Sequence, residues 1–242
     1  QAAQAVAPVL VGLKALAGFL AQFDQMSAMH AHAHLGGIGV FLMLIVGISF
    51  KLVPMFALSE VQSNRRAGWS VALLNAGLLG SFAAILLGSR WKLAFALVVI
   101  AGLAVYGWEM AAIVRARKRR TLDWGLKYFI TALSLLTPLS ILAVILSWPN
   151  LPKNVFTGQL ENLYGFLAFV GVITFAILGM LYKIVPFLVW YVRYSGEIGR
   201  TKVPALADLY SARLQAAGYW TYIAGLAGTG AAIVLANERA VQ

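Results

Sequence analysis

Seven stretches of this chain are long and apolar enough to cross a bilayer, and that requirement limits its fold more than any other feature. A helix needs about 20 mostly apolar residues to cross the hydrocarbon layer. The stretches lie near 3–23, 34–58, 67–88, 93–114, 127–148, 162–190 and 211–236. In lipid only helices and closed barrels satisfy their own backbone polar groups, and these runs lack the alternation of barrel strands. The expected class is therefore all-α: a polytopic membrane helix bundle of about seven transmembrane helices, with residues 1–242 forming a single transmembrane domain. Hydrophobic residues supply 61% of the chain and charged residues 11%, which excludes a soluble enzyme. The first stretch is the weakest, because Lys14 lies at its centre and Pro8 interrupts it. It lacks a basic leader and a cleavage signature, so it reads as a span and not as a signal peptide.

A net charge of +11 would suit nucleic acid, but most of the basic residues lie in loops between spans, as topology requires, so no nucleic-acid partner is expected. Loops on one side carry eleven of them: Arg65, Arg66, Arg115, Arg117, Lys118, Arg119, Arg120, Arg193, Arg200, Lys202 and Arg213. The other side carries four, Arg90, Lys92, Lys153 and Arg239. The positive-inside rule makes the first side cytoplasmic and places residues 24–33 outside, on the periplasmic face of a bacterial inner membrane. Trp91, Trp124, Trp148, Trp190 and Trp220 fall at span ends, where amphipathic rings favour the interface.

Two spans share a pattern that apolar composition alone does not produce. Gly39, Gly47, Phe50, Lys51, Leu52, Val53 and Pro54 recur 132 residues later as Gly171, Gly179, Tyr182, Lys183, Ile184, Val185 and Pro186. At an offset of 148, Glu60, Ser63, Arg65, Gly77 and Gly80 match Asp208, Ser211, Arg213, Gly225 and Gly228. The repeat copies span 34–88 and 166–236, and an even number of intervening spans makes the repeat parallel. Its glycines allow close approach of helices or of a flat cofactor, and its proline loosens the cytoplasmic helix end. Lys51 and Lys183 have two readings. They snorkel to phosphates, or one of them pairs with Glu109 as a buried ion pair or a polar proton or quinone site.

All three histidines lie in one run, Met26-Ser27-Ala28-Met29-His30-Ala31-His32-Ala33-His34, with Asp24 just upstream. Imidazole is the commonest metal ligand, and thioethers suit copper(I) or haem iron, so His30, His32, His34, Met26, Met29 and Asp24 form a candidate metal or cofactor run. In an α-helix His30 and His34 share a face while His32 points nearly opposite; in an extended segment all three share a side. With Ser27 as N-cap the histidines occupy the first two turns, where the dipole favours neutral, ligating imidazole. The bland reading is that one or two of them cap a helix or bind interfacial water. The absence of cysteine excludes disulfides, iron–sulfur ligation, zinc-thiolate sites and covalent c-type haem attachment.

The stretch His30 to Phe56, HAHAHLGGIGVFLMLIVGISFKLVPMF, resembles the second transmembrane helix of the haem-copper oxidase subunit I superfamily. A closer similarity is to bacterial membrane proteins described as subunit-I-like, which carry both AHAHLG, residues 31–36, and GMLYKIVPFLVW, residues 179–190. The resemblance implies haem b, or else copper, as cofactor, with His32 at the family's low-spin haem ligand position. It also departs from the family: the span at 162–190 offers Phe166 and Phe169 where copper-site histidines are expected, and there is no tenth helix. Oxygen reduction at a binuclear centre is not available to this chain alone. The expected function is a membrane-embedded haem- or copper-binding subunit of an electron-transfer complex, partnered by lipid and by other membrane or periplasmic subunits. The alternatives are a noncatalytic accessory subunit of a respiratory or photosynthetic complex without any cofactor, a copper or haem assembly factor, and, least favoured, a transporter.

Overall fold

A computed structural model describes Gly18, residues 22–118 and residues 121–236. The expected span at 3–23 therefore falls almost wholly outside the described residues, as do Arg119, Arg120 and Arg239. Among the described residues there is no strand, and six long helices follow one another: α1 (Gln25–Ala57), α2 (Asn64–Leu86), α3 (Lys92–Arg115), α4 (Trp124–Leu146), α5 (Val155–Glu197) and α6 (Ala212–Leu235). Helices α1 to α5 are long and apolar enough to cross a membrane. The chain is thus an all-helical, multi-pass membrane protein.

Polar side chains define where the helices begin. Ser63 Oγ accepts from the Arg66 amide, an Asp123 carboxylate oxygen from Leu126, Asn154 Oδ1 from Thr157 and Ser211 Oγ from Leu214, each satisfying an otherwise orphaned first-turn donor. At its other end α1 stops in a left-handed residue, Leu58, at φ 53°. Pro54 sits one turn before that stop, in keeping with a loosened end. Pro186 does not act this way, because α5 runs on to Glu197. At 43 residues, α5 is roughly twice as long as the ~30 Å hydrocarbon layer requires at ~1.5 Å per residue, so turns at its ends stand outside it.

The helices assemble as two groups. In the first, α2 lies along α3 so closely that a methyl on Gly77 would stand 2.8 Å from the Val99 backbone nitrogen, and one on Gly102 would stand 3.0 Å from that of Leu74. Helix α1 packs on this pair. In the second group α4 crosses α5 at Gly125 and Gly179, where a methyl on either would stand 2.8 or 2.7 Å from the other's carbonyl oxygen. Helix α6 leans on α4 and α5 and buries only Gln215 and Leu226. The groups meet along two seams, α3 with α4 and α1 with α5. Inside lies a core of large buried side chains, among them Tyr106, Met110, Tyr128, Phe129 and Phe175.

Besides the 3-10 turn Ser195–Glu197 that ends α5, two segments depart from α-helical geometry. Leu35–Leu42 within α1 and Leu167–Ile173 within α5 are π-helix. The wider turn displaces the regular ladder, and the Thr174 hydroxyl donates to the Phe169 carbonyl at 2.9 Å.

Because neither backbone at the α4–α5 crossing has a rotamer with which to yield, Gly179→Ala should destabilise the fold by about 1–3 kcal/mol. Gly225→Ala, with nothing within 4 Å of an added methyl, should leave the melting temperature unchanged. Thermal unfolding of both variants in detergent checks the pair.

Candidate functional site

The histidine run is helical, which decides what it can hold. The N-cap of α1 is Asp24 and not Ser27: its carboxylate accepts from the Ser27 amide at 2.9 Å. The Ser27 amide and hydroxyl keep the Asp24 carboxyl below the ordinary aspartate value. Its contribution to the cap is therefore complete above the ordinary aspartate range and fades as pH falls through the lowered, folded value. His30 and His34 share one face, with Met26 a turn before His30, while His32 is exposed on another, beside the exposed Met29. Among the described residues no three His, Asp or Glu side chains converge as a metal-holding group. The candidate run of Asp24, Met26, Met29, His30, His32 and His34 is thus spread around the helix axis, with only Met26, His30 and His34 along one face.

What His30 and His34 do face is a cavity of about 330 Å³ between the two helix groups. Its walls are largely apolar, built from α3 (Val99, Ile100), α4 (Leu136, Leu139) and both π segments. Polar groups cluster at its rim: the two histidines, Lys92, Ser147, Glu161 and Tyr164. His34 Nδ1 lies 2.8 Å from the His30 carbonyl oxygen. A carbonyl can only accept, so Nδ1 carries the proton and Nε2 keeps its lone pair. That is the second contact typical of metal-ligating histidine, which fixes tautomer and ring plane. The imidazole also stacks on Tyr164 across the α1–α5 seam, centroids 5.9 Å apart and planes 21° from parallel.

The other expected polar site is dispersed. Glu109 is fully buried near the opposite end, and neither lysine reaches it. One carboxylate oxygen accepts from the Gln62 and Ser63 amides at 2.6 and 2.9 Å, and the other pairs with Arg66 Nε at 2.7 Å. Glu109 thus fastens the start of α2 to α3. Lys183 pairs instead with Asp123 and lies 5.0 Å from the centre of the Phe56 ring. Lys51 is exposed, in keeping with snorkelling. The ion pairs the structure shows are therefore Glu109 with Arg66 and Lys183 with Asp123, and not either lysine with Glu109.

Tyr164, Lys92 and Arg66 were not singled out by sequence. Tyr164 stands 132 residues after His32, the spacing of the repeat, and that register is the signal that points to it. Lys92 and Arg66 carry no comparable signal, since both count as ordinary loop charges.

Removing the Glu109 carboxylate leaves the Gln62 and Ser63 amides and the Arg66 guanidinium without their acceptor. Glu109→Ala should therefore cost about 1–3 kcal/mol in unfolding free energy, whereas Lys51→Ala should cost nothing measurable; denaturant melts of the two variants compare them. Comparison with family models, with curated proteins and with solved structures returned no match.

Proposed function

We propose that the chain is a membrane-embedded, b-type haem-binding subunit of an electron-transfer complex, with the cavity beside His34 as the cofactor site. One observation carries this reading: a histidine on the cavity rim whose Nδ1–H is committed to a backbone carbonyl, leaving Nε2 to ligate. The donor set suits haem and does not suit copper. Haem iron needs one or two axial ligands from the protein, and His34 supplies one, with His30 one turn away on the same face. A copper centre needs several convergent donors, and no group of three His, Asp or Glu side chains converges among the described residues.

The remaining lining fits the same reading. Bound haem would supply one-electron redox chemistry that the side chains themselves lack. The apolar wall from Val99, Ile100, Leu136 and Leu139 excludes water, and the stacked Tyr164 ring restrains the imidazole plane. Lys92 at the rim would meet an acidic group such as a propionate. The cavity is at the small end of ligand sites, which run ~300–1,000 Å³.

Topology and ancestry belong to the proposal. The end of the bundle that carries His30 has Arg90, Lys92 and Lys153 in its neighbouring loops, while the end beyond α1, α3 and α5 carries most of the other basic residues. In a bacterial inner membrane the positive-inside rule turns the histidines to the periplasm, toward a partner subunit able to exchange electrons there. The proposal keeps a seven-span, subunit-I-like chain with a parallel duplication, and two local features agree with the duplication. The π segments begin at Leu35 and Leu167, 132 residues apart. Ser63 and Ser211, 148 apart, cap the helices that follow.

Titration of the purified protein with haemin should give a Soret band saturating at one haem per chain and a b-type pyridine haemochrome. His34→Ala should abolish it, and His32→Ala should leave it intact. No stoichiometric binding, or a spectrum indifferent to His34→Ala, would refute the assignment.

A further inference from the structure

The cavity has a second boundary besides its polar rim. Where α1 meets α5, the wall is made by the two π segments, and these segments are the main close contact between the helices. The seam is bridged by ring contacts. His34 stacks on Tyr164 near the rim, and Phe41 meets Phe169 edge-on one helical stretch deeper, with centroids 6.3 Å apart.

Phe169 occupies both sides of this wall. It lines the cavity and stands 3.8 Å from the position a methyl on cavity-lining Gly37 would take. Its other neighbour, Phe41, is not part of the cavity lining and is 42% exposed, while Phe169 itself remains 44% exposed. The ring thus stands between the interior space and the apolar flank of the bundle. Phe41 and Phe169 lie inside the apolar parts of α1 and α5, at membrane depth, so that this flank faces lipid. Gly37 offers no side chain to close the gap, and a single edge-on ring pair is a weak latch.

We infer that the cavity is loaded sideways from the bilayer through the α1–α5 seam, with Phe169 as its door. The ligand class this selects is a flat amphiphile dissolved in the membrane: the ring system passes between the helices while a polar or acidic edge stays at the rim with Lys92. This rests on the reading of the cavity as a ligand site, but not on the ligand being haem.

The chain has no native cysteine, so a single Ser140→Cys on the cavity wall reports access directly. The protein is reconstituted in liposomes and labelled either with pyrene maleimide dissolved in the bilayer or with a sulfonated, membrane-impermeant maleimide applied to both faces. Pyrene maleimide should react, and the sulfonated reagent should react at least about tenfold more slowly. Adding Phe169→Ala should speed pyrene labelling by roughly threefold to tenfold, the range that loss of an edge-on ring contact allows. Gly37→Leu, which fills the gap beside the ring, should slow it by a similar factor. Rapid labelling by the sulfonated reagent, or pyrene labelling indifferent to both door variants, overturns lateral loading. Gated labelling together with failed haemin binding removes the haem reading and leaves the lateral door standing.

Discussion

Close backbone contact at glycine is the interaction on which the rest of this bundle depends. Lipid is as apolar as leucine, so burial of apolar surface drives membrane helices together only weakly, and association relies on tight packing. Gly77 and Gly102 let α2 and α3 touch, and Gly125 and Gly179 do the same for α4 and α5. These crossings commit four helices to two rigid pairs. Side chains of ordinary size then keep the pairs apart elsewhere, and the space left between them is the cavity.

The π segments adjust that space. A π turn is wider than an α turn, and both such segments face the cavity from opposite sides of the same seam. Their cost is irregular backbone hydrogen bonding at membrane depth, offset in α5 by the Thr174 hydroxyl. At the other end of the bundle Glu109 works differently. There a buried carboxylate gathers two amides and a guanidinium, so the first turn of α2 is held against α3 by charge-assisted bonds. One end is held by a satisfied polar network; the other surrounds the cavity.

Much of the site was legible and some was not, for definable reasons. The shared face of His30 and His34 follows from helical periodicity, as does the outward turn of His32 once the segment is helical. The resemblance to oxidase subunit I emphasised His32, whereas only His34 combines a fixed tautomer with a place on the cavity rim. The cap was misplaced by three residues because Asp24 and Ser27 are equally good cap types, and the choice between them lies in backbone angles at Asp24. The partner of Glu109 was invisible because Arg66, Lys51 and Lys183 are all cations near the same end of the bundle, and periodicity within a helix does not say which neighbour stands opposite.

Hydropathy and its periodicity determined that the chain is a bundle of membrane-crossing helices, where most of those helices run and which histidines share a face. These are local consequences of backbone satisfaction and of the 3.6-residue turn. Tertiary structure decided the rest: which helices pair, that Glu109 meets Arg66 and Lys183 meets Asp123, and that His34, Tyr164 and Lys92 surround one cavity. Such pairings depend on the rotation and crossing of whole helices about one another, which are set by the summed fit of two surfaces and are not encoded in any single segment.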